Sequence, residues 1–442
     1  MKKLIFILML IIFMICLPAL SQENKKFSPQ DELKYIYQLK NKDAKVRRNA
    51  LEQLGIMHSK KAVPYIINIL NDPDTNVKML AISILGTSKD NRAYQPLLNI
   101  FNDKSKSLEI RDRAGLSLDF LGNKNATAHM LKALETETDN IFKAHIIDNL
   151  GYLKDKTAAS KIIPFLKDNN WQIRYFTCGT LGSLKCNDAV LPLIEAFKIE
   201  EIDDIKQQII YSFGLIGDNR AVLLLIEQLK SKNYQFRRYA IFSLGCMKDS
   251  SVVPYIIKML NDKHYIVRSM AAGTLQSLND KRAVDPLIKA LKNEKEPTVR
   301  CSIVRALAVF WDKKIIDTLI NTFNKEADIA VKIDIANTLS FFNDEKSINA
   351  LLNIAKNTNE NCDIRYTAIE SLGILKAKEA LPLIQSYAEE PTDALMRAVC
   401  AWAMGEFKDK SSLAILNKLL KDENESVRKE AKKAIEKINK NN

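Results

Sequence analysis

The chain has 442 residues, of which 47% are hydrophobic and 27% are charged. These fractions are ordinary for a folded protein and exclude wholesale disorder, while 13 Gly and 12 Pro residues are too few for a collagen-like or low-complexity chain. Because a single hydrophobic core stops growing at roughly 250–300 residues, the sequence predicts several domains or an architecture without one central core.

The N-terminus has the residue order of a secretory signal. Two lysines precede an apolar run over residues 4–17, and small residues follow before Gln22. The run is shorter than the roughly 20 residues that a membrane-spanning helix needs. We therefore expect a cleaved signal peptide over residues 1–21, a short linker over residues 22–30, and export to the periplasm or the cell exterior. An uncleaved membrane anchor is the less favoured alternative.

The net charge of +13 at pH 7 is typical of proteins that meet nucleic acids or anionic surfaces. Export makes nucleic acid an unsuitable partner. An anionic envelope surface, an acidic protein, or simply a long surface kept soluble by lysine remain as explanations of the charge. The six cysteines after residue 21 show neither a CxxC pair nor metal-ligand spacing, so we interpret most of them as buried hydrophobic residues.

A sequence repeat with a period of 31 to 33 residues extends over residues 31–442 and occurs thirteen times. Each repeat contains one basic residue, which we call its ladder residue. An apolar residue follows seven positions later in every repeat, and a small or branched residue usually follows three positions later. The ladder residues are Arg47, Lys78, Arg111, Lys143, Arg174, Lys206, Arg237, Arg268, Arg300, Lys332, Arg365, Arg397 and Arg428.

This spacing places the apolar positions on one helical face and predicts a helix, helix B, around each ladder residue. In ten of the thirteen repeats, the residue four positions before the ladder residue is Asp, Asn or Ser, which cap helix N-termini. Glycine often follows eight positions after the ladder residue, as Gly55 does, and is expected to end the helix. The third repeat has Gly122 three positions later, which predicts a longer helix there. The repeats without a typical capping residue have Ile202, His264 and Glu296.

A second apolar stretch precedes helix B and predicts a helix A, and proline recurs near its start in six repeats. Residues 62–70 and 252–260 are examples. Two short helices cannot bury their apolar faces alone, but stacked neighbours can. The sequence therefore predicts an all-α fold, an α-α superhelix of about thirteen helical hairpins over residues 31–442.

The segment from Asp43 to Gly55 nearly meets the pattern D-x-x-[VI]-R-x-x-A-x-x-[AL]-L-G and resembles the HEAT-like repeat of the phycobilisome-lyase type. The resemblance implies a helical solenoid, and it implies functions that range from scaffolds to enzymes. Related hydroxylases hold two irons with His-Glu pairs, but none of the four histidines here precedes Glu. We therefore expect no metal site, no cofactor and no catalytic residue.

We interpret the ladder residues as structural, each bridging the capping residue or turn carbonyls of its own or the next repeat. The alternative is a row of cations along a binding groove. Outward positions of helix B carry aromatic residues and an arginine, which is typical of interface hot spots; packing between neighbouring B helices is the alternative. These candidate partner-binding residues are Tyr175, Phe176, Tyr211, Arg238, Tyr239, Phe242, Tyr366 and Trp402.

The function that these patterns predict is an exported, non-catalytic scaffold or adaptor that binds another protein through an extended curved surface. We expect no nucleic-acid partner, and membrane contact only through the signal or weak electrostatic attraction. Two alternatives stay open. One is an enzyme or enzyme subunit of the lyase or oxidoreductase type that the resemblance implies, and the other is a binder of an anionic envelope surface.

Overall fold

The computed structural model describes residues 27–123, 125–389 and 393–440, so the expected signal peptide lies outside the described residues. The first helix begins at Pro29 and is capped by the side chain of Ser28, which accepts a hydrogen bond from the Asp31 amide. Its start lies inside the segment expected as a linker. The chain divides into an N-terminal body that ends at Arg220 and a C-terminal body that begins at Ala221.

The described residues form helical hairpins without a β-strand, as predicted, and each hairpin pairs a helix A with a helix B. The six hairpins of the N-terminal body are Pro29–Gln38 with Ala44–Ile56, Val63–Asn68 with Thr75–Thr87, Tyr94–Asn102 with Leu108–Leu121, Ala126–Thr136 with Asn140–Leu153, Ala159–Ile162 with Trp171–Ser183, and Val190–Ile199 with Asp203–Ile216.

The C-terminal body contains seven hairpins of the same kind. They are Val222–Gln228 with Tyr234–Cys246, Val253–Met259 with Tyr265–Leu278, Val284–Asn293 with Pro297–Leu307, Lys314–Phe323 with Ile329–Leu339, Glu345–Lys356 with Cys362–Leu375, Leu381–Glu389 with Ala394–Phe407, and Leu413–Leu419 with Glu425–Asn439. Within each body, every helix B packs against helix B of the next repeat. None of the helices in the described part of the chain has the length and apolar character needed to cross a membrane.

The predicted apolar stripe of helix B forms the core of each body. The residue three positions after the ladder residue is buried in all thirteen repeats. The residue seven positions after it is at most 1% exposed in twelve repeats, and the exception is Ile435 in the last helix. Full burial of one such Leu or Ile side chain stabilises a fold by about 1.5–3 kcal/mol. The core therefore grows by one layer with each added repeat.

Helix B begins where the capping residues predict. In nine of the ten repeats with an Asp, Asn or Ser at this position, the side chain accepts a hydrogen bond from a backbone N–H of the first turn. Ser107 makes no such bond. His264 was not expected as a cap, yet its Nδ1 atom accepts a hydrogen bond from the Ile266 amide.

The expectation that glycine ends helix B eight positions after the ladder residue is wrong. Those glycines lie inside the helix. The residue with left-handed backbone lies eleven positions after the ladder residue in ten of the thirteen repeats, so Gly122 in the third repeat occupies the common position. These residues are His58, Lys89, Gly122, Lys154, Lys185, Gly217, Lys248, Asn279, Lys376 and Lys408.

Helical glycines instead allow neighbouring B helices to approach closely. A Cβ atom added to Gly86 would lie 2.7 Å from the Cα atom of Ser117 on the next helix B. A Cβ atom added to Gly182 would lie 2.8 Å from the Ser212 hydroxyl oxygen. Both distances are too short for real atoms, so the spacing of the stack at these repeats depends on the missing side chain.

Candidate functional site

The first ladder residue shows how the ladder cations are used. Arg47 donates from Nε and Nη2 to the two carboxylate oxygens of Asp72 at 2.6 and 2.7 Å. Its Nη1 atom donates to the backbone carbonyls of Asn41 and Lys42 at 2.8 and 2.9 Å. The two charged side chains are only 9% and 4% exposed. Arg47 therefore joins its own turn to the turn of the next repeat and presents little charge to solvent.

The carboxylate that pairs with the ladder residue is not the capping residue. It lies one or two residues earlier, in the turn between helices A and B of the next repeat, and it also accepts backbone N–H groups that precede the helix. The ion pairs of this kind are Arg47–Asp72, Arg111–Glu137, Arg174–Glu200, Arg237–Asp262, Arg268–Glu294, Arg300–Glu326, Lys332–Glu360 and Arg397–Asp422.

The electrostatics of these pairs favour the charged forms. Burial acts to raise the pKa of Glu200, but hydrogen bonds from Arg174 and from the backbone outweigh burial and hold this pKa below its usual range. The hydrogen bond to Glu200 in turn raises the pKa of Arg174. The contacts of the ladder lysines vary more than those of the ladder arginines. Lys332 forms an ion pair with Glu360, whereas the Lys206 ammonium lies 5.8 Å from the ring centre of Phe197.

The candidate aromatic residues of the N-terminal body, Tyr175, Phe176 and Tyr211, are all half-buried. The Phe176 ring meets the Tyr175 ring edge-on, with ring centres 5.6 Å apart. It also meets the ring of His145, on helix B of the preceding repeat, at 6.3 Å. Phe176 therefore bridges two B helices and leaves part of its surface accessible.

The candidates of the C-terminal body are also half-buried, and they are Arg238, Tyr239, Phe242, Tyr366 and Trp402. The Arg238 guanidinium lies 5.2 Å from the ring centre of Tyr239. Trp402 packs over Gly373 of the preceding repeat, where an added Cβ would lie 3.0 Å from its ring. Burial and a hydrogen bond to Asp393 of the next repeat raise the pKa of Tyr366. These side chains combine packing between B helices with an exposed edge.

Sequence reasoning missed a depression on the B helices of the C-terminal body. It has a volume of about 540 Å³, and two arginines, Arg238 and Arg305, contribute to its lining. Arg305 lies five positions after a ladder residue, and Ser269 and Ser302 lie one and two positions after theirs. These are the same outward positions that carry the aromatic candidates. These three residues lack aromatic character, so only their charge and hydrogen-bonding groups distinguish them in the sequence.

Two outward positions of the N-terminal body carry acidic residues, Asp112 and Asp148, beside His145. The Asp112 carboxylate lies 3.2 Å from Nδ1 of His145. Burial acts to lower the pKa of His145, but Asp112 outweighs burial and raises it. Burial raises the pKa of Asp148 to about 6.

Other chemically active side chains have local structural contacts. His129 shares a hydrogen bond of 2.9 Å with the Tyr94 hydroxyl, so His129 and His145 have separate partners. Within the described ranges, no group of three or more His, Cys, Asp and Glu side chains could hold a metal ion. The six cysteines in those ranges are free thiols, of which four are buried.

Comparison with known proteins gives a family match along the chain. The family model for HEAT repeats matches residues 33–119, 127–214, 222–308, 316–405 and 392–442. A comparison with curated protein sequences found no significant match.

Solved structures resemble the chain in fold. The crystal structure of Kap121p is 12% identical over 92% of this chain and 57% of Kap121p, with a TM-score of 0.53. Kap121p bound to the extreme C-terminus of the protein phosphatase Cdc14p gives 13% identity over 92% and 56% of the two chains, with a TM-score of 0.53. A structure of Kap95p binding to RanGDP gives 11% identity over 94% and 62%, with a TM-score of 0.51. The chain thus spans about three fifths of these relatives.

Proposed function

Because the chain belongs to the HEAT-repeat family, we propose that it is a non-catalytic scaffold or adaptor that binds another protein along its B helices. One observation carries this proposal. Within each body, most ladder cations form ion pairs with turn carboxylates, while half-buried aromatic and charged side chains occupy the outward positions of successive B helices. A stacked array of this kind is a preformed surface, so a partner binds with little ordering cost.

The related folds support a protein as the partner class. Kap121p is described bound to the C-terminus of Cdc14p, and Kap95p is described binding RanGDP. Their sequence identity to this chain is too low to suggest the partner itself. The finer assignment to the phycobilisome-lyase type rests on the match between Asp43 and Gly55, and the site of action rests on the signal-like order of residues 1–21. We therefore propose that the scaffold acts after export.

A second candidate function is binding to an anionic surface. The net charge of +13 and the two arginines around the depression of the C-terminal body favour it. Attraction between exposed charges decays over about 8 Å at physiological ionic strength, so such binding would be lost steeply as salt is added. Binding to a protein through aromatic contacts would persist in salt.

Capture of partners from the native compartment tests the proposed function. The wild-type chain, and a variant with Tyr211→Ser and Phe242→Ser, are cross-linked to their surroundings and purified. We expect the variant to lose roughly fivefold or more of the captured partner, because interface aromatics often contribute 2 kcal/mol or more. Helix content, measured by circular dichroism, should stay unchanged.

The control is Tyr255→Ser, since Tyr255 lies on a helix A and is 41% exposed. Capture should not change in this variant. Equal capture by all three proteins would contradict the proposal. We expect the captured chain to come from the exported fraction and to begin at Gln22. A chain recovered only inside the cell, with its first residues retained, would contradict export.

A further inference from the structure

Three consecutive B helices of the C-terminal body carry positive charge without negative charge. Tyr234–Cys246, Tyr265–Leu278 and Pro297–Leu307 contain no Asp or Glu. Their three ladder arginines pair with carboxylates in the adjoining turns. The other two arginines, Arg238 and Arg305, lie on the outward positions of these helices, so the charged side chains that these helices themselves present there are positive.

The two arginines differ in how they are held. Arg238 has no carboxylate within ion-pair distance in the described part of the chain; its Nη1 atom is 3.4 Å from the Gln235 side-chain oxygen, and its guanidinium stacks near Tyr239. Arg305 is 64% exposed and lies 2.9 Å from Asp334 on the next helix B. Both guanidinium groups can therefore bind a carboxylate of a partner. Arg238 can do so directly, whereas Arg305 would replace Asp334 by the new carboxylate or bind both.

The depression that these arginines help to line has the features of a peptide groove. The hydroxyls of Ser269 and Ser302, on neighbouring B helices, are 2.7 Å apart. A Cβ atom added to Gly273 would meet nothing within 4 Å, so this part of the groove is open. Gln276 adds a further polar group, and Ile266 and Met270 add apolar surface. Among the residues that the structure describes, none that lines the groove is acidic.

We propose that this groove binds an extended segment rich in Asp or Glu, supplied by the protein partner. The inference rests on the proposed scaffold function and names the chemistry of the bound segment. Charge complementarity carries it, because a guanidinium fork matches a carboxylate in two parallel hydrogen bonds. The serine hydroxyls and Gln276 can bond to the extended backbone, while the aliphatic stems contact Ile266 and Met270.

Fluorescence anisotropy with labelled, end-blocked peptides tests the inference on the full chain. The probe is an eight-residue peptide of alternating Glu and Ala, and the matched peptide has Gln in place of Glu. We expect the Glu peptide to bind roughly tenfold more tightly. Arg238→Gln should raise its Kd roughly fivefold. Asp334→Asn should lower its Kd a few-fold, because it releases Arg305 from its ion pair.

The control is Lys289→Gln, which removes one positive charge from an exposed position on a helix A. Its Kd should stay within about twofold of wild type, because distant charges are screened. Equal binding of the Gln peptide, an equal loss in Lys289→Gln, or attraction only to vesicles with anionic lipid would overturn the inference. If the chain captures its partner but does not bind the Glu peptide, the proposed peptide groove is contradicted and the proposed scaffold function is not. If neither partner capture nor binding of the Glu peptide is observed, both the scaffold function and the peptide groove are contradicted.

Discussion

At the scale of single residues, lysine often occupies a backbone conformation that disfavours it. Six of the residues with left-handed backbone after helix B are lysines: Lys89, Lys154, Lys185, Lys248, Lys376 and Lys408. This conformation is unfavourable by about 1–2 kcal/mol for a residue with a Cβ atom, whereas glycine adopts it without this penalty. Each of these turns therefore holds a small strain that the packed repeats on either side sustain.

We predict that Lys185→Gly stabilises the protein by about 0.5–1 kcal/mol, since relief of strain is partly offset by the greater freedom of glycine in the unfolded chain. Gly217→Ala is the reciprocal change and should destabilise by about 1 kcal/mol. Its new methyl group would meet nothing within 4 Å, so only the backbone conformation is tested. Urea midpoints measure both changes. Destabilisation by Lys185→Gly would mean that the lysine contributes contacts stronger than the strain.

At the scale of elements, the distance between neighbouring B helices depends on glycine at selected repeats. An added Cβ at Gly86 would lie within 3 Å of the backbone of Ser117, which cannot move without shifting a helix. Gly273 also lies inside a helix B, at an outward position five residues after its ladder residue, and an added Cβ there would meet nothing within 4 Å. The two glycines therefore separate the steric effect from the intrinsic effect of glycine in a helix.

We predict that Gly86→Ala destabilises the protein by about 1–3 kcal/mol, the usual range for overpacking a close contact. Gly273→Ala should be neutral or stabilise by up to about 1 kcal/mol, because alanine favours the helix. Thermal or urea unfolding of both variants measures the difference. Similar changes in the two variants would show that close approach is not what Gly86 provides.

The helices, their caps and their buried stripe could be predicted because each depends on residues within one repeat. The end of helix B could not, since Gly55 and Gly86 follow a familiar terminator pattern but serve contacts with the next helix. The turn carbonyls predicted as partners of Arg47 are confirmed, but its carboxylate partner is Asp72, which lies two residues before the capping residue of the next repeat. Features that depend on residues within one repeat could be predicted from the sequence, whereas the particular contacts between neighbouring repeats could not.

The candidate site divides in the same way. The outward positions of helix B follow from helical periodicity, which predicted the placement of Tyr175 and Arg238 on this surface. The groove around Arg305 could not be foreseen, because it requires knowing which cations the turn carboxylates neutralise. The contact between Asp112 and His145 was missed because the two residues lie in different repeats.

At the scale of the whole molecule, repetition distributes function along a surface. Each body builds its core from the same two positions of helix B, three and seven residues after the ladder residue, and this leaves the outward positions free to vary in sequence. The N-terminal body uses them for Asp112 and His145, and the C-terminal body uses them for Arg238 and Arg305. One architecture can thus present different side chains to a partner from repeat to repeat.

The most direct test of the account places a photo-cross-linking amino acid, p-benzoylphenylalanine, at single positions of the full chain in its native compartment. Met270 lies on the outward surface of a B helix, and Tyr255 lies on a helix A. The account predicts that irradiation joins a protein partner to the chain substituted at Met270 and not to the chain substituted at Tyr255. Cross-links from Tyr255 alone would contradict the claim that the B helices form the binding surface.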